Sequence, residues 1–282
     1  MTKSRCLCGA VRWTAEGPLQ FMSHCHCSRC RKAHGTPFAT YVAAPADSFA
    51  LTGAEHVTRY ESSPGFFRPF CNHCGSVTPG DAWEGLVFLP AGCMEDDPAE
   101  RPGAHIFVAS KARWYEIPDA LPQFEAYPAG VGTPEQPDLT LPDPPGKFTR
   151  GSCLCGSVAY VVEEKPFMAR YCHCSRCRQA RGAAHASNMI TRVEGVRFTR
   201  GADLVASYKL PEAKFFTQAF CRRCGSAMPR LDTGRNIAIV PMGSLDDDPG
   251  IRPSEHIFAE SKAPWFEIAD GLTQHPGPPP PA

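Results

Sequence analysis

The chain has 282 residues with 29 basic and 29 acidic side chains, so its formal net charge is zero and it has no global basic field for nucleic acid or an anionic membrane. No stretch approaches the roughly 18 consecutive apolar residues of a membrane span. A hydrophobic content of 43% and a charged content of 21% fit a chain with packed cores, either one large domain or two of ordinary size.

The opening Met1-Thr2-Lys3-Ser4-Arg5-Cys6 lacks the apolar core of a signal peptide. With fifteen cysteines, an odd number, the expectation is a reducing cytoplasm in which thiolates are held by metal, not a disulfide scaffold. Next comes Cys6-Leu7-Cys8-Gly9, followed by strand signals at 10–14. The run Cys25-His26-Cys27-Ser28-Arg29-Cys30-Arg31 places three cysteines in six residues. It overlaps a short helix predicted over Ser28–His34 and stopped by Gly35. Short strand-like runs at 38–42, 56–60, 66–70 and 86–89 are divided by glycine or proline. Cys71-Asn72-His73-Cys74-Gly75-Ser76 interrupts them. A late block carries His105-Ile106-Phe107, Ser110-Lys111-Ala112, Trp114 and Glu116-Ile117.

The whole pattern then repeats in the same order. Cys153-Leu154-Cys155-Gly156 and strand signals at 157–162 precede Cys172-His173-Cys174-Ser175-Arg176-Cys177-Arg178, which overlaps a helix predicted over Ser175–Arg181 and closed by Gly182. Strand-like runs at 215–220 and 236–240 flank Cys221-Arg222-Arg223-Cys224-Gly225-Ser226. His256-Ile257-Phe258, Ser261-Lys262-Ala263, Trp265 and Glu267-Ile268 close the second copy. The reading is two tandem, mainly β domains with one short helix each, at 1–127 and 148–275. A proline-rich, semi-rigid linker at 128–147 joins them, and a proline-rich tail at 276–282 is expected to fray.

The cysteines sort into two classes. A glycine directly after the last cysteine suits a zinc knuckle, whose turn needs a left-handed residue and whose amides must approach sulfur. Two such knuckles complete a closed, structural four-cysteine site: Cys6, Cys8, Cys71 and Cys74, with a twin at Cys153, Cys155, Cys221 and Cys224. The middle clusters, Cys25, Cys27, Cys30 and Cys172, Cys174, Cys177, lack that glycine and an obvious fourth partner. Three protein ligands with an open position is the arrangement of a catalytic zinc. The alternative is a second structural zinc, with His24, His26, His34, His173 or Cys93 supplying the fourth ligand. A thioredoxin-like use of Cys27 and Cys30 lacks the βαβ context it needs.

Arg29, Arg31, Arg176 and Arg178 flank the middle clusters, either to neutralise thiolate charge or to receive a substrate carboxylate. His26 and His173 are candidates for orienting a ligand or moving a proton. His105, His256, Trp114 and Trp265 are read as packing. The copies differ at His34 and Arg181, His73 and Arg223, and Cys93 and Ser244.

Taken together, the Cys-x-Cys-Gly, Cys-His-Cys-Ser-x-Cys-Arg and Cys-x-x-Cys-Gly elements and the His-Ile-Phe-x-x-Ser-Lys-Ala-x-Trp block resemble the glutathione-dependent formaldehyde-activating family, which includes the centromere protein V relatives. The resemblance covers both halves and omits only linker and tail. It implies an Mss4-like, mainly β fold with one structural and one catalytic zinc per domain, hence two closed and two open sites in this chain. It also implies carbon–sulfur lyase chemistry, the formation or cleavage of S-hydroxymethylglutathione, with glutathione as co-substrate and a small thiol or aldehyde as partner. The rival is a non-catalytic zinc module that binds protein or nucleic acid, and the zero net charge counts against the nucleic acid.

Overall fold

Residues 1–129, 139 and 147–279 are described by the computed structural model, so most of the expected linker and the last three residues of the tail lie outside the described residues. The first half contains β1 (Thr2–Arg5), β2 (Arg12–Ala15), β3 (Met22–Cys25), α1 (Ser28–His34), β4 (Ala39–Pro45), β5 (Phe49–Thr52), β6 (Val57–Ser63), β7 (Phe66–Cys71), β8 (Leu86–Pro90) and β9 (Pro102–Ile106). They form a three-stranded sheet in the order β1-β2-β5, a four-stranded sheet β8-β4-β3-β9 and the hairpin β6-β7. Only β9 runs parallel to its neighbour, joining the edge of β3.

The second half repeats this plan with β10 (Thr149–Ser152), β11 (Ala159–Val162), β12 (Met168–Cys172), α2 (Ser175–Arg181), β13 (Ala186–Thr191), β14 (Val196–Arg200), β15 (Val205–Lys209), β16 (Thr217–Cys221), β17 (Arg230–Asp232), β18 (Ile237–Pro241), β19 (Glu255–Ile257) and β20 (Thr273–Gln274). Its larger sheet extends to six strands, β17-β18-β13-β12-β19-β20. The fold is mainly β, and the two α-helices have the boundaries that the sequence suggests. The tail departs from expectation where it is described. The carbonyls of His275, Pro276 and Gly277 accept amides from Ala259, Glu260 and Phe258, because β20 has already laid the chain along β19.

Local chemistry explains the elements nearest the cysteines. In β2, Trp13 and Ala15 are buried while Arg12 faces water, the alternation of a strand covered on one face. In β4 nearly every residue is buried, as in a central strand covered on both faces. Each helix starts at a cysteine whose sulfur accepts an amide three residues on, Cys27 from Cys30 and Cys174 from Cys177. Each stops at a left-handed glycine, Gly35 or Gly182.

The halves pack on one another reciprocally. Helix α1 lies against the 3₁₀ turn Met242–Ser244, and α2 lies against the equivalent turn Ala91–Cys93. Phe70 and Phe220 meet edge to face, with ring centroids 6.4 Å apart. Gly75 and Gly225 have positive φ, and a Cβ on either would come within 2.4 Å or 2.5 Å of the opposite phenylalanine ring, so these knuckle turns serve the seam as well as their own sulfurs. Tyr60 of β6 packs against the cluster that holds Cys153, Cys221 and Cys224, while Tyr208 of β15 lies close to Cys6, Cys8 and Cys74. Each four-cysteine cluster is therefore roofed by a hairpin of the other half. The described linker residue Leu139 adds a bond of 3.0 Å from its amide to Ser28 Oγ.

One ion pair breaks this symmetry. Lys32 of α1 is 3% exposed, and its Nζ reaches Asp246 Oδ1 at 2.5 Å, Ser152 O and Oγ at 2.9 Å and Ser244 O at 3.4 Å. Its counterpart in α2 is the uncharged Gln179. Replacing Lys32 with Met leaves the Asp246 carboxylate buried without its cation, so denaturant unfolding should show a loss of about 3–5 kcal/mol. The added change Asp246→Asn should recover much of it. Equal stability of the Lys32→Met variant and the parent would show that the pair holds nothing together.

Candidate metal centres

Four groups of cysteine sulfurs gather within 4.8 Å: Cys6, Cys8, Cys71, Cys74; Cys153, Cys155, Cys221, Cys224; Cys25, Cys27, Cys30; and Cys172, Cys174, Cys177. These are the groups that the spacing predicts, and all fifteen thiols are free of disulfides. In the first four-cysteine group, Cys6 and Cys8 sulfurs are 3.5 Å apart and Cys8 and Cys71 sulfurs 3.7 Å. In the second, the corresponding distances are 3.3 Å and 3.8 Å. Tetrahedral zinc with bonds of about 2.3 Å sets its sulfurs about 3.8 Å apart, so the donor sets fit that ion.

The knuckles also carry the amide contacts that thiolates require. Val11 N–H points at Cys6 Sγ at 3.3 Å, and Val158 N–H at Cys153 Sγ at 3.2 Å. Ser76 and Ser226 tie the two knuckles of each group together, each accepting the amide of Leu7 or Leu154 at 3.0 Å. This repeated Ser-after-Gly position is a structural element that the cysteine pattern alone did not single out.

In the three-cysteine groups, one sulfur ends a strand, one caps a helix and one lies in its first turn: Cys25, Cys27 and Cys30, or Cys172, Cys174 and Cys177. The Cys172 and Cys174 sulfurs are 3.6 Å apart. Hydrogen bonds from Cys25 and then Cys30 hold Cys27 well below the ordinary thiol range, while its bond to Cys27 pushes Cys25 up. In the twin group, hydrogen bonds from Cys172 and then Cys177 lower Cys174 to about 3, and Cys172 is pushed up to about 12 chiefly by Cys174. In each trio the sulfur at the helix cap is the one held lowest.

No fourth His, Cys, Asp or Glu joins either trio among the described residues. Each side chain considered as a fourth donor has a partner elsewhere, although the Nδ1 atoms of His26 and His173 are buried without one among the described residues. His26 Nε2 lies 2.8 Å from His105 Nδ1, and His105 Nε2 lies 3.0 Å from Asp119 Oδ1. The second half repeats the chain as His173, His256 and Asp270, with both links at 2.8 Å. His24 bonds Thr40 Oγ1 at 2.8 Å, and His34 bridges Arg181 O at 2.6 Å and Tyr41 OH at 2.8 Å. Cys93 sits at the seam, its sulfur 3.5 Å from Gln179 O.

His105 and His256 are therefore packed, as expected, but each is also the middle link of an Asp–His–His chain. Asp119 and Asp270 escaped notice in the sequence, although the repeat does continue from Glu116-Ile117 and Glu267-Ile268 to both aspartates. Trp114 and Trp265 are buried core residues.

The flanking arginines take different places. Arg29 donates its Nε–H to Ser62 O at 3.3 Å, Arg31 is buried, Arg176 is exposed beside Cys174, and Arg178 lies within the field of Cys174 and Cys93. The guanidinium whose charge acts on both Cys27 and Cys30 is Arg68 on β7, a residue that the sequence did not single out. Tyr41, Phe107 and Phe124 pack around the first trio, and Tyr127 meets Phe107 at 4.7 Å. Phe258 takes the place of Phe107 in the second trio. Phe107 and Phe258 both adopt positive φ, 57° and 56°, an uncommon conformation for an aromatic residue that the fold maintains twice.

A family model described as glutathione-dependent formaldehyde-activating enzyme matches residues 1–110 and 148–261. A Halomonas elongata protein named "Putative glutathione-dependent formaldehyde-activating enzyme" is 34% identical over 130 residues, which cover 42% of this chain and 81% of that protein. A solved Rhodobacter sphaeroides protein is 30% identical and covers 37% of this chain and 97% of its own, with a TM-score of 0.29.

The buried histidines predict a pH response. Burial lowers His24 and His185 well below their ordinary range, His26 and His173 to about 3 and His34 to about 4. The unfolded chain binds protons at these side chains near pH ~6.5 while the folded chain does not, so stability is full above that pH and falls as pH drops through the interval toward 3–4. Unfolding midpoints should hold between pH 8 and 7 and decline below about 6.5, with a metal-sensitive dye separating this from proton competition at sulfur. A flat profile from about pH 6.5 to 5 would contradict the burial argument.

Proposed function

The chain belongs to the glutathione-dependent formaldehyde-activating enzyme family, and from that premise we propose that it joins a small thiol to a small aldehyde, or splits the adduct, at its three-cysteine clusters. S-hydroxymethylglutathione, from glutathione and formaldehyde, is the adduct we assign. The observation that carries the reading is the pair of trios with no fourth donor among the described residues, beside two complete sets of four.

In this reading the chain is two domains, residues 1–127 and 148–275, each with one closed and one open zinc site. Cys6, Cys8, Cys71, Cys74 and Cys153, Cys155, Cys221, Cys224 hold the structural ions, and the two trios hold the reactive ones. Zinc, were it held by Cys25, Cys27 and Cys30 or by Cys172, Cys174 and Cys177, would supply a weak, electron-rich Lewis acid suited to keeping a substrate thiol nucleophilic. The thiol sulfur then forms a bond to the carbonyl carbon, and the thiol proton ends on the carbonyl oxygen. The reverse reaction breaks the same carbon–sulfur bond and returns the proton.

The chain's own side chains have defined parts in this. The Asp119–His105–His26 chain and its Asp270–His256–His173 twin pin the residue between two of the cysteines, which fixes the strand-to-helix junction that presents them. Tyr41, Phe107 and Phe124 limit water around the first trio. Fifteen free thiols suit a reducing compartment such as the cytoplasm, and no helix of the described residues is long and apolar enough to cross a membrane.

Two measurements test this. Fully loaded protein should contain four zinc ions per chain by mass spectrometry, and two or fewer would refute the open sites. The double variant Cys25→Ser, Cys172→Ser should lose turnover of the glutathione–formaldehyde adduct by at least about 100-fold while keeping the parent's circular dichroism and two zinc ions. An unfolded double variant would assign the trios to structure instead.

A further inference from the structure

Beside the first four-cysteine group stands a pair of side chains that the sulfur chemistry does not use. His56 ends the 3₁₀ turn Ala54–His56, and His73 lies inside the knuckle between Cys71 and Cys74. The amide of Asn72 donates to His56 O at 2.9 Å and ties the turn to the knuckle. The two imidazoles meet with ring centroids 4.4 Å apart and planes inclined at 47°. Glu55 adds a carboxylate, its Oε1 3.5 Å from His56 Nε2. Among the described residues the two rings have no hydrogen-bond partner, only each other and Glu55. Seven of the ten histidines are buried, so His56 and His73 are two of the three that can meet an ion from solvent. The third, His275, is already engaged by Glu255 at 2.9 Å.

We propose that His56 and His73 form a further metal site, a surface pair that binds one divalent transition ion such as nickel, copper or zinc, completed by Glu55 and water. An imidazole bound at about 2.0–2.1 Å has its ring centre about 3.2 Å from the ion, so two rings in neighbouring positions of one ion have centres about 4.5–5.2 Å apart. The observed 4.4 Å stands next to the near end of that interval, and side-chain rotation alone brings one nitrogen of each ring to a shared ion. Neutral imidazole suits these ions, and a carboxylate beside it adds charge. The Glu55 side chain is 73% exposed, so it swings without disturbing any packing. The sulfurs of Cys71 and Cys74 are buried while His73 is exposed, which keeps this site apart from the closed one.

The second half shows that the backbone does not require histidines here. It has the same turn, Ala202–Leu204, and the same bond of 2.9 Å from Arg222 N–H to Leu204 O. Leu204 and Arg223 take the places of His56 and His73 there. The site therefore belongs to the first half alone.

The test uses the full chain with its cysteine sites loaded with zinc, titrated with nickel by calorimetry while a dye follows any released zinc. The parent should bind nickel at a single site without releasing zinc, and its unfolding midpoint should rise with nickel concentration, because only the folded chain brings the rings together. The variant His56→Leu, His73→Arg copies residues that the second half carries on the same backbone, so it keeps the parent's circular dichroism. It should bind nickel about tenfold more weakly or worse and lose the midpoint shift. Glu55→Gln should weaken nickel less, and His275→Gln should leave it unchanged. Unchanged affinity in the double variant, no nickel binding by the parent, uptake only in exchange for zinc, or a loss with His275→Gln equal to that of the double variant would each overturn the site.

Discussion

The fold depends on bringing sulfurs together across long stretches of chain. Cys6 and Cys8 lie on one knuckle and Cys71 and Cys74 on another, and several strands around them are short: four residues in β1, β2, β3 and β5. Strands of that length bury too little to hold a sheet by themselves. Four sulfurs gathered across a loop of 63 residues, a donor set that fits zinc, would supply what the small sheets lack, and the amides of Val11 and Val158 are aimed at two of those sulfurs. The rest of each half hangs from that point. The knuckle leads through β2 to β3, and β3 ends on the first cysteine of the trio.

The trios follow a different logic. Their sulfurs come from a single strand end and helix start, so they close no long loop and can be left incomplete without the sheets losing register. Behind them, buried histidines backed by partly exposed aspartates hold the strand-to-helix junction. This division separates long-range sulfurs, which join distant parts of the frame, from short-range sulfurs gathered at one strand end and helix start.

Much of this was legible in the sequence because the ligands are strong local signals. Cysteine spacing and the glycine after each knuckle identified all four clusters, and the helix stops at Gly35 and Gly182 followed from the same turn chemistry. What could not be read was how the halves embrace. Tyr60 over Cys153 and Tyr208 near Cys8 are contacts between segments about a hundred residues or more apart, and no periodicity encodes them. Lys32 carries no signal of its own in the sequence, and Asp246 is brought to it only by the opposite half. Arg68 sat in an unremarkable Phe-Phe-Arg-Pro-Phe run, and only the fold lets its charge act on Cys27 and Cys30. Asp119 and Asp270 were visible as repeated residues, but nothing in one dimension tied them to a histidine.

The reciprocal seam has an evolutionary consequence. Two identical chains meeting through Phe70-like and Gly75-like positions would carry every substitution twice, once on each side of the axis. Here both sides are written in one chain, so a change on one side is free of its mirror image. Lys32 can face Asp246 while Gln179 faces no such partner, and Arg68 can stand where its twin is Gln218. The tandem arrangement turns an axis of symmetry into an address, so the two halves can diverge residue by residue without dissolving the contact that holds them together.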